Sequence, residues 1–246
     1  MSIDSSYTAE TMAHAGFDWL CLDMQHGVLD YNDVKHMLTA ISTSNAIPLV
    51  RVPWNEPYEI MKVLDAGAYG VIVPLVNNRE EAERAVAACR YPPEGIRSYG
   101  PNRVTFYSGK GYVRAANSEI ACIVMIETAE ALENLDDIMS TPGVDAVYIG
   151  PNDLAYALDL HPSGDNNDPK HVATVTHILE TAKKHGIAAG IQTGSLEYTK
   201  RYLDQGFHMV TLGSDRGFME RLARQELQAA REGTAAERIE PDGNFY

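Results

Sequence analysis

Seven short apolar runs, each followed by a longer polar or amphipathic stretch, constrain this chain more than any other feature. They cover residues 18–24, 47–53, 70–76, 120–127, 146–151, 188–194 and 208–213. Most are nearly continuous in Val, Ile, Leu, Met and Ala, which marks parallel strands covered on both faces. Helical patterns lie between them, over 57–66, 80–89, 129–139, 172–185, 196–205 and 218–231. Gly67, Gly186 and Gly206 stop three of these. So regular a repeat fits a (β/α)8 TIM barrel better than an open sheet. An open dinucleotide-binding sheet usually carries a G-x-G-x-x-G turn after an early strand, and Asp23-Met24-Gln25-His26-Gly27 is not one. The eighth strand is expected first. Only Met1-Ser2-Ile3-Asp4 precedes the helical stretch near Tyr7, so that strand is expected to be truncated or irregular. The expectation is a single barrel domain over 1–234 and a polar C-terminal tail over 235–246.

Composition narrows the function classes. Twenty Lys and Arg against 34 Asp and Glu give a net charge of −14 over 246 residues. That balance opposes a sequence-independent grip on nucleic acid, which needs clustered cations, and opposes anionic membrane surfaces. Three cysteines (Cys21, Cys89, Cys122) are too few for a disulfide framework, and Cys21 and Cys122 sit in apolar runs as reduced core residues. No run approaches a membrane span and no signal-peptide pattern opens the chain, so a cytoplasmic protein is expected.

In a barrel, chemistry gathers where strands end. The first runs end in Asp23-Met24-Gln25-His26 and in Arg51-Val52-Pro53-Trp54. Later ones end in Met125-Ile126-Glu127-Thr128, Gly150-Pro151-Asn152-Asp153, Gln192-Thr193-Gly194 and Gly213-Ser214-Asp215. Taken singly, each polar residue has a structural reading. Asp153 can open a helix, Arg51 can be an ion-pair partner, Glu127 can cap a helix, and His26 can be a satisfied loop histidine. Their convergence on one barrel mouth favours chemistry. Glu127 and Asp153 are hard oxygen ligands suited to Mg²⁺ or Mn²⁺. Arg51 offers a fixed cation for an anionic substrate or a developing enolate. Asp23, three residues before His26, could orient the imidazole as a general base. All seven lysines fall in helical or loop segments, so Schiff-base chemistry is not expected.

The ordered set Gly16-Phe17-Asp18-Trp19, Asp23-x-x-His26, Val50-Arg51-Val52-Pro53-Trp54-Asn55, Leu64-Asp65-Ala66-Gly67-Ala68 and Val73-Pro74 continues downstream. There it comprises Arg90-Tyr91-Pro92-Pro93-x-Gly95-Ile96-Arg97, Ile126-Glu127-Thr128 and Gly150-Pro151-x-Asp153-Leu154. It resembles the HpcH/HpaI family of metal-dependent (class II) pyruvate aldolases, which includes 4-hydroxy-2-oxoacid and 2-dehydro-3-deoxyglucarate aldolases. The resemblance implies a phosphoenolpyruvate/pyruvate-type barrel in which Glu127 and Asp153 bind the divalent metal (Mg²⁺, Mn²⁺ or Co²⁺). It implies that Arg51 contacts the pyruvyl carbonyl or enolate oxygen and that His26 with Asp23 forms a base dyad. The backbone of Gly150, Pro151, Asn152 and Asp153 would hold the substrate carboxylate. The sequence departs from the common family pattern at Met125 (often Gln), Gln25 (often Glu) and the loop 98–103.

The implied activity is reversible cleavage of 4-hydroxy-2-oxoacids into pyruvate or hydroxypyruvate and an aldehyde, through a metal-stabilised enolate. Alternatives are a citrate-lyase-β-like or malyl-thioester lyase and a catalytically silent oxoacid-binding barrel. The implied partners are a small 2-oxoacid, an aldehyde and further copies of the chain, as a hexamer or trimer of dimers with the last helix exchanged. Phe218, Leu222 and Leu227 give that helix an apolar face.

Overall fold

A computed structural model describes residues 1–232. The tail expected over 235–246 lies outside the described residues. The strands are β1 (Trp19–Asp23), β2 (Ile47–Arg51), β3 (Gly70–Val73), β4 (Ala121–Ile126), β5 (Ala146–Ile149), β6 (Ala188–Ile191) and β7 (Met209–Val210). All seven apolar runs therefore contain a strand, each shorter than its run because the residues at the run ends leave the ladder. The helices are α1 (Ser6–Ala13), α2 (Tyr31–Ile41), α3 (Pro57–Ala66), α4 (Arg79–Cys89), α5 (Thr105–Ser108) and α6 (Tyr112–Glu119). They continue as α7 (Ala129–Glu133), α8 (Leu135–Met139), α9 (Pro151–Ala157), α10 (Pro169–His185), α11 (Leu196–Gln205) and α12 (Asp215–Glu232).

The strands pair in parallel, each with its neighbour in sequence, from β1 through β7. Period-two alternation divides their side chains between two cores. Leu20, Leu22, Val50, Val71, Val73, Val124, Val147 and Ile191 face the helices. Leu49, Ile72, Ile123, Met125, Ala146 and Tyr148 fill the concave side, with Trp19, Cys21 and Met209 packed against them. Continuing that alternation by one step puts Asp23, Arg51, Glu127, Gly150 and Thr211 on the concave side at the strands' C-terminal ends. Glycine ends α10 and α11, where Gly186 (φ 70°) and Gly206 (φ 96°) adopt the left-handed conformation.

Of the expected (β/α)8 barrel with a truncated or irregular first strand, a curled sheet of seven parallel strands is present among the described residues. Residues 1–3 show why. Met1 bonds to β1 through its nitrogen to Cys21 O, and its carbonyl accepts from the Asp23 N–H. On the other side the N–H groups of Ser2 and Ile3 go to the Asp215 carboxylate, at 2.9 and 3.0 Å, rather than to backbone carbonyls of β7. A side chain thus replaces the ladder that would close the sheet. Asp215 is buried and opens α12.

No helix among the described residues is long and apolar enough to cross a membrane. Cys21, Cys89 and Cys122 are free thiols, with Cys89 and Cys122 fully buried.

Candidate active site

Parallel register sets Asp23 of β1 directly beside Arg51 of β2. Their side chains form a bidentate ion pair, Nε to Oδ1 at 2.8 Å and Nη2 to Oδ2 at 2.6 Å. Both side chains are mostly covered, at 19% and 14% exposure. Burial opposes ionisation of Asp23, but the Arg51 hydrogen bonds and charge, with the His26 and Gln25 amides, outweigh it and hold the carboxyl below its ordinary value. Burial likewise disfavours the Arg51 cation, and Asp23 more than offsets this. Asp23 engages two of the five guanidinium N–H groups, leaving three uncommitted among the described residues. Arg51 is therefore an ion-pair partner and still has donors for a ligand.

This pair corrects the expected form of the Asp23–His26 dyad. Asp23 Oδ1 accepts from the backbone N–H groups of Gln25 (3.1 Å) and His26 (3.2 Å), an Asx-type turn. The carboxylate thereby shapes the loop that carries His26, while the exposed His26 ring makes no hydrogen bond to it. A three-residue spacing in a turn brings the amide to the carboxylate, and the guanidinium takes the rest.

Glu127, immediately after β4, is 3% exposed. Its Oε1 accepts the Leu75 N–H at 2.9 Å. Leu75 reaches that position with φ 54°, a left-handed conformation that costs a leucine about 1–3 kcal/mol. Asn77 braces the turn by donating to Leu75 O and accepting from the Thr128 hydroxyl. The other carboxylate oxygen, Oε2, lies 2.4 Å from where a Cβ on residue 150 would stand. A side chain at 150 would push that carboxylate out of its place. Asp153 is exposed in the first turn of α9. Burial raises the Glu127 carboxyl above its ordinary value and the Asp153 charge adds to this, against the Leu75 amide and Arg51. Glu127, Asp153 and Arg51 are thus electrostatic neighbours.

A cavity of about 980 Å³ is lined by Asp23, Arg51, Ile72, Tyr148, Gln192 and Thr211 and runs on toward α1 and α11. Strand alternation alone could have located Tyr148 and Thr211 on its wall. Leu75 carried no sequence signal, because nothing in an apolar run announces a left-handed leucine.

Residues 1–220 match the family described as HpcH/HpaI aldolase/citrate lyase. The chain belongs to that family. A hydroxypyruvate/pyruvate aldolase of Rhizorhabdus wittichii is 40% identical over 231 residues, spanning 94% of this chain and 92% of the relative. A 4-hydroxy-2-oxo-heptane-1,7-dioate aldolase of Escherichia coli is 37% identical over 249 residues, spanning 98% and 92%. The crystal structure of an HpcH/HpaI aldolase/citrate lyase family protein from Burkholderia cenocepacia J2315 superposes with a TM-score of 0.88 at 35% identity. It covers 94% of this chain and 92% of that one.

The donor set suits the divalent cation implied by the HpcH/HpaI resemblance. Glu127 is a buried carboxylate with one oxygen free of hydrogen-bond donors among the described residues, next to a second carboxylate. No cluster of three or more His, Cys, Asp or Glu that could hold a metal occurs among the described residues. Two carboxylates that leave the other positions to water and substrate are typical of Mg²⁺ and Mn²⁺ sites.

Proposed function

We propose that this HpcH/HpaI protein is a divalent-metal-dependent aldolase that cleaves and forms 4-hydroxy-2-oxoacids, releasing pyruvate or hydroxypyruvate and an aldehyde. The observation that carries the reading is the juxtaposition of Arg51, braced by Asp23, with the Glu127 and Asp153 carboxylates, at or just past the C-terminal ends of β2, β4 and β5. Every lysine lies on a helix or loop, so no strand amine is available for an imine.

Glu127 and Asp153 would hold the metal, which when bound supplies a Lewis acid for the 2-oxoacid carbonyl. The substrate carboxylate is held at the Gly150-Pro151-Asn152-Asp153 turn, where the Asn152 and Asp153 N–H groups have no partner among the described residues. His26 takes the proton from the C4 hydroxyl, the C3–C4 bond breaks, and the electron pair moves onto C3 as an enolate. Arg51 brings fixed positive charge to the enolate oxygen. The proton held by His26 then passes through solvent to C3, which gives the oxoacid product and restores the base. Asp23 acts through Arg51, holding its fork in place so that no reorganisation is needed when charge develops.

The aldolase acts as a homo-oligomer, a hexamer or trimer of dimers, in the cytoplasm. Along α12 only Asp215 is buried, and Met219, Leu222 and Leu227 are more than half exposed. The cavity meanwhile extends between α1 and α11, past Met12, Phe17, Leu196 and Leu203. Reciprocal insertion of α12 into a neighbour's groove covers both surfaces. A monomer by light scattering at micromolar concentration overturns this assembly.

The activity is tested with a panel of aldehydes, pyruvate or hydroxypyruvate, and Mg²⁺, Mn²⁺ or Co²⁺, with products read by mass. Chelation should abolish turnover and added metal restore it. Borohydride with pyruvate should trap nothing, and a covalent lysine adduct would refute the assignment.

A further inference from the structure

Among the described residues, Tyr148 is the one side chain of the concave core that carries a hydroxyl. It stands on β5 two residues before Gly150, one layer beneath the proposed site. Its hydroxyl is hydrogen-bonded to Thr211 Oγ1, just past the end of β7, so the ring must lean across β6. The residue it leans over is Gly190, in the middle of β6, where a Cβ would lie 2.6 Å from Tyr148 Cδ2. Glycine inside a strand costs stability and often marks a close approach of this kind. Thr211 is itself held, because its carbonyl accepts from the hydroxyls of Thr193 and Thr199.

The pair has a donor to spare. Two hydroxyls bring two O–H groups, and the bond between them uses one. Neither oxygen has another hydrogen-bond partner among the described residues. Both residues line the same cavity as Asp23 and Arg51. Burial raises the Tyr148 phenol above its ordinary value, so it remains a donor across the working pH range. A packing role alone would be met by phenylalanine, with no hydroxyl to satisfy.

We propose that Tyr148 and Thr211 form a hydroxyl-recognition subsite that takes an alcohol group carried on the substrate carbon adjacent to a carbonyl. The inference rests on the aldolase reading above and extends it to substrate class. Two sources share that chemistry: the C3 hydroxyl of a hydroxylated 2-oxoacid donor, or the C2 hydroxyl of an α-hydroxyaldehyde acceptor. Either hydroxyl accepts the spare O–H and replaces a water that would otherwise occupy it.

The experiment compares kcat/KM ratios in the full-length, metal-loaded enzyme. One ratio is hydroxypyruvate over pyruvate with propanal as acceptor, and the other is glycolaldehyde over propanal with pyruvate as donor. Tyr148→Phe and Thr211→Val should each lower one ratio, while Thr211→Ser, which keeps the hydroxyl, should hold it near wild type. One neutral hydrogen bond corresponds to roughly a three- to tenfold drop. The ratio that falls identifies the source. If both ratios stay within about twofold of wild type, or if all reactions lose the same factor, the pair only braces β7 against β5 and the proposal is wrong. Thermal melts of the three variants distinguish that bracing role, because it lowers Tm without moving either ratio. Failure of the aldolase reading is separately visible, as absence of turnover by the wild type with every substrate pair.

Discussion

Replacing Gly150 by alanine adds one methyl group and should disable the site. Gly150 has φ −90° and ψ 94°, which any residue can adopt, so the substitution introduces no backbone strain. Its consequences must come from what the methyl meets. The new Cβ would sit 2.4 Å from Glu127 Oε2 and 3.1 Å from Met125 Cε, whereas 3.4–4 Å is ordinary contact. Methionine is flexible and can yield a few tenths of an ångström. The carboxylate must retreat by about 1 Å, and a misplacement of that size typically costs about 10² in rate. Overpacking a core adds a stability cost of about 1–3 kcal/mol, and the loss here should fall at the low end because Glu127 can swing. The assay is kcat together with metal affinity by calorimetry, beside a thermal melt. The expected pattern is a large loss of turnover and weaker metal binding with a small change in Tm. Turnover and metal affinity both within about threefold of wild type would refute the placement of Glu127 as a ligand. A melt collapsed by tens of degrees would instead mean that Gly150 serves the packing of β5 rather than the carboxylate.

Asp23→Asn leaves a mostly covered guanidinium without its anion. Breaking a fully buried pair costs about 3–5 kcal/mol, and the residual exposure here reduces this to about 2 kcal/mol at neutral pH. Because the Asp23 carboxyl is held below its ordinary value, its contribution is present above the unfolded-state carboxylate range and lost as pH falls through the folded value. The Tm gap between wild type and Asp23→Asn should therefore close on acidification, and a constant gap would contradict the pairing. Glu127→Gln should behave oppositely in metal-free protein. Its carboxyl is raised, so its favourable contribution is present below the unfolded-state value and lost as pH rises through the folded one. The variant should melt higher than wild type at neutral pH, converge with it in acid, and gain nothing from added metal. Arg51→Ala should lower kcat by about 10²–10³ as an enolate-stabilising donor is removed. Arg51→Lys should recover little, because a point charge cannot keep a bidentate bond to Asp23 and still reach substrate; near-normal kcat in either variant would make Arg51 purely structural.

The sequence by itself determined the repeat, the strand positions and the cover on both faces of the strands. Near-continuous apolar runs of the right length are sufficient for this, since burial on both faces is a local property of composition. It also determined that Arg51 and Glu127 sit at or just past strand ends and that Asp153 opens a helix, because each is the first polar residue, or nearly so, after an apolar run. The partnerships were not legible. Spacing suggested that Asp23 serves the His26 ring, yet parallel register sets Asp23 beside Arg51, and register is written in neither strand alone. Leu75 takes a left-handed turn because Glu127, 52 residues away, accepts its N–H. Gly150 leaves room for a carboxylate that follows another strand, and Gly190 for a ring on another. The edge expected to hold a strand is filled by residues 1–3 and the Asp215 carboxylate, a contact across 213 positions. Periodicity is encoded residue by residue, whereas these contacts exist only once many weak packing interactions have brought distant strands into one register.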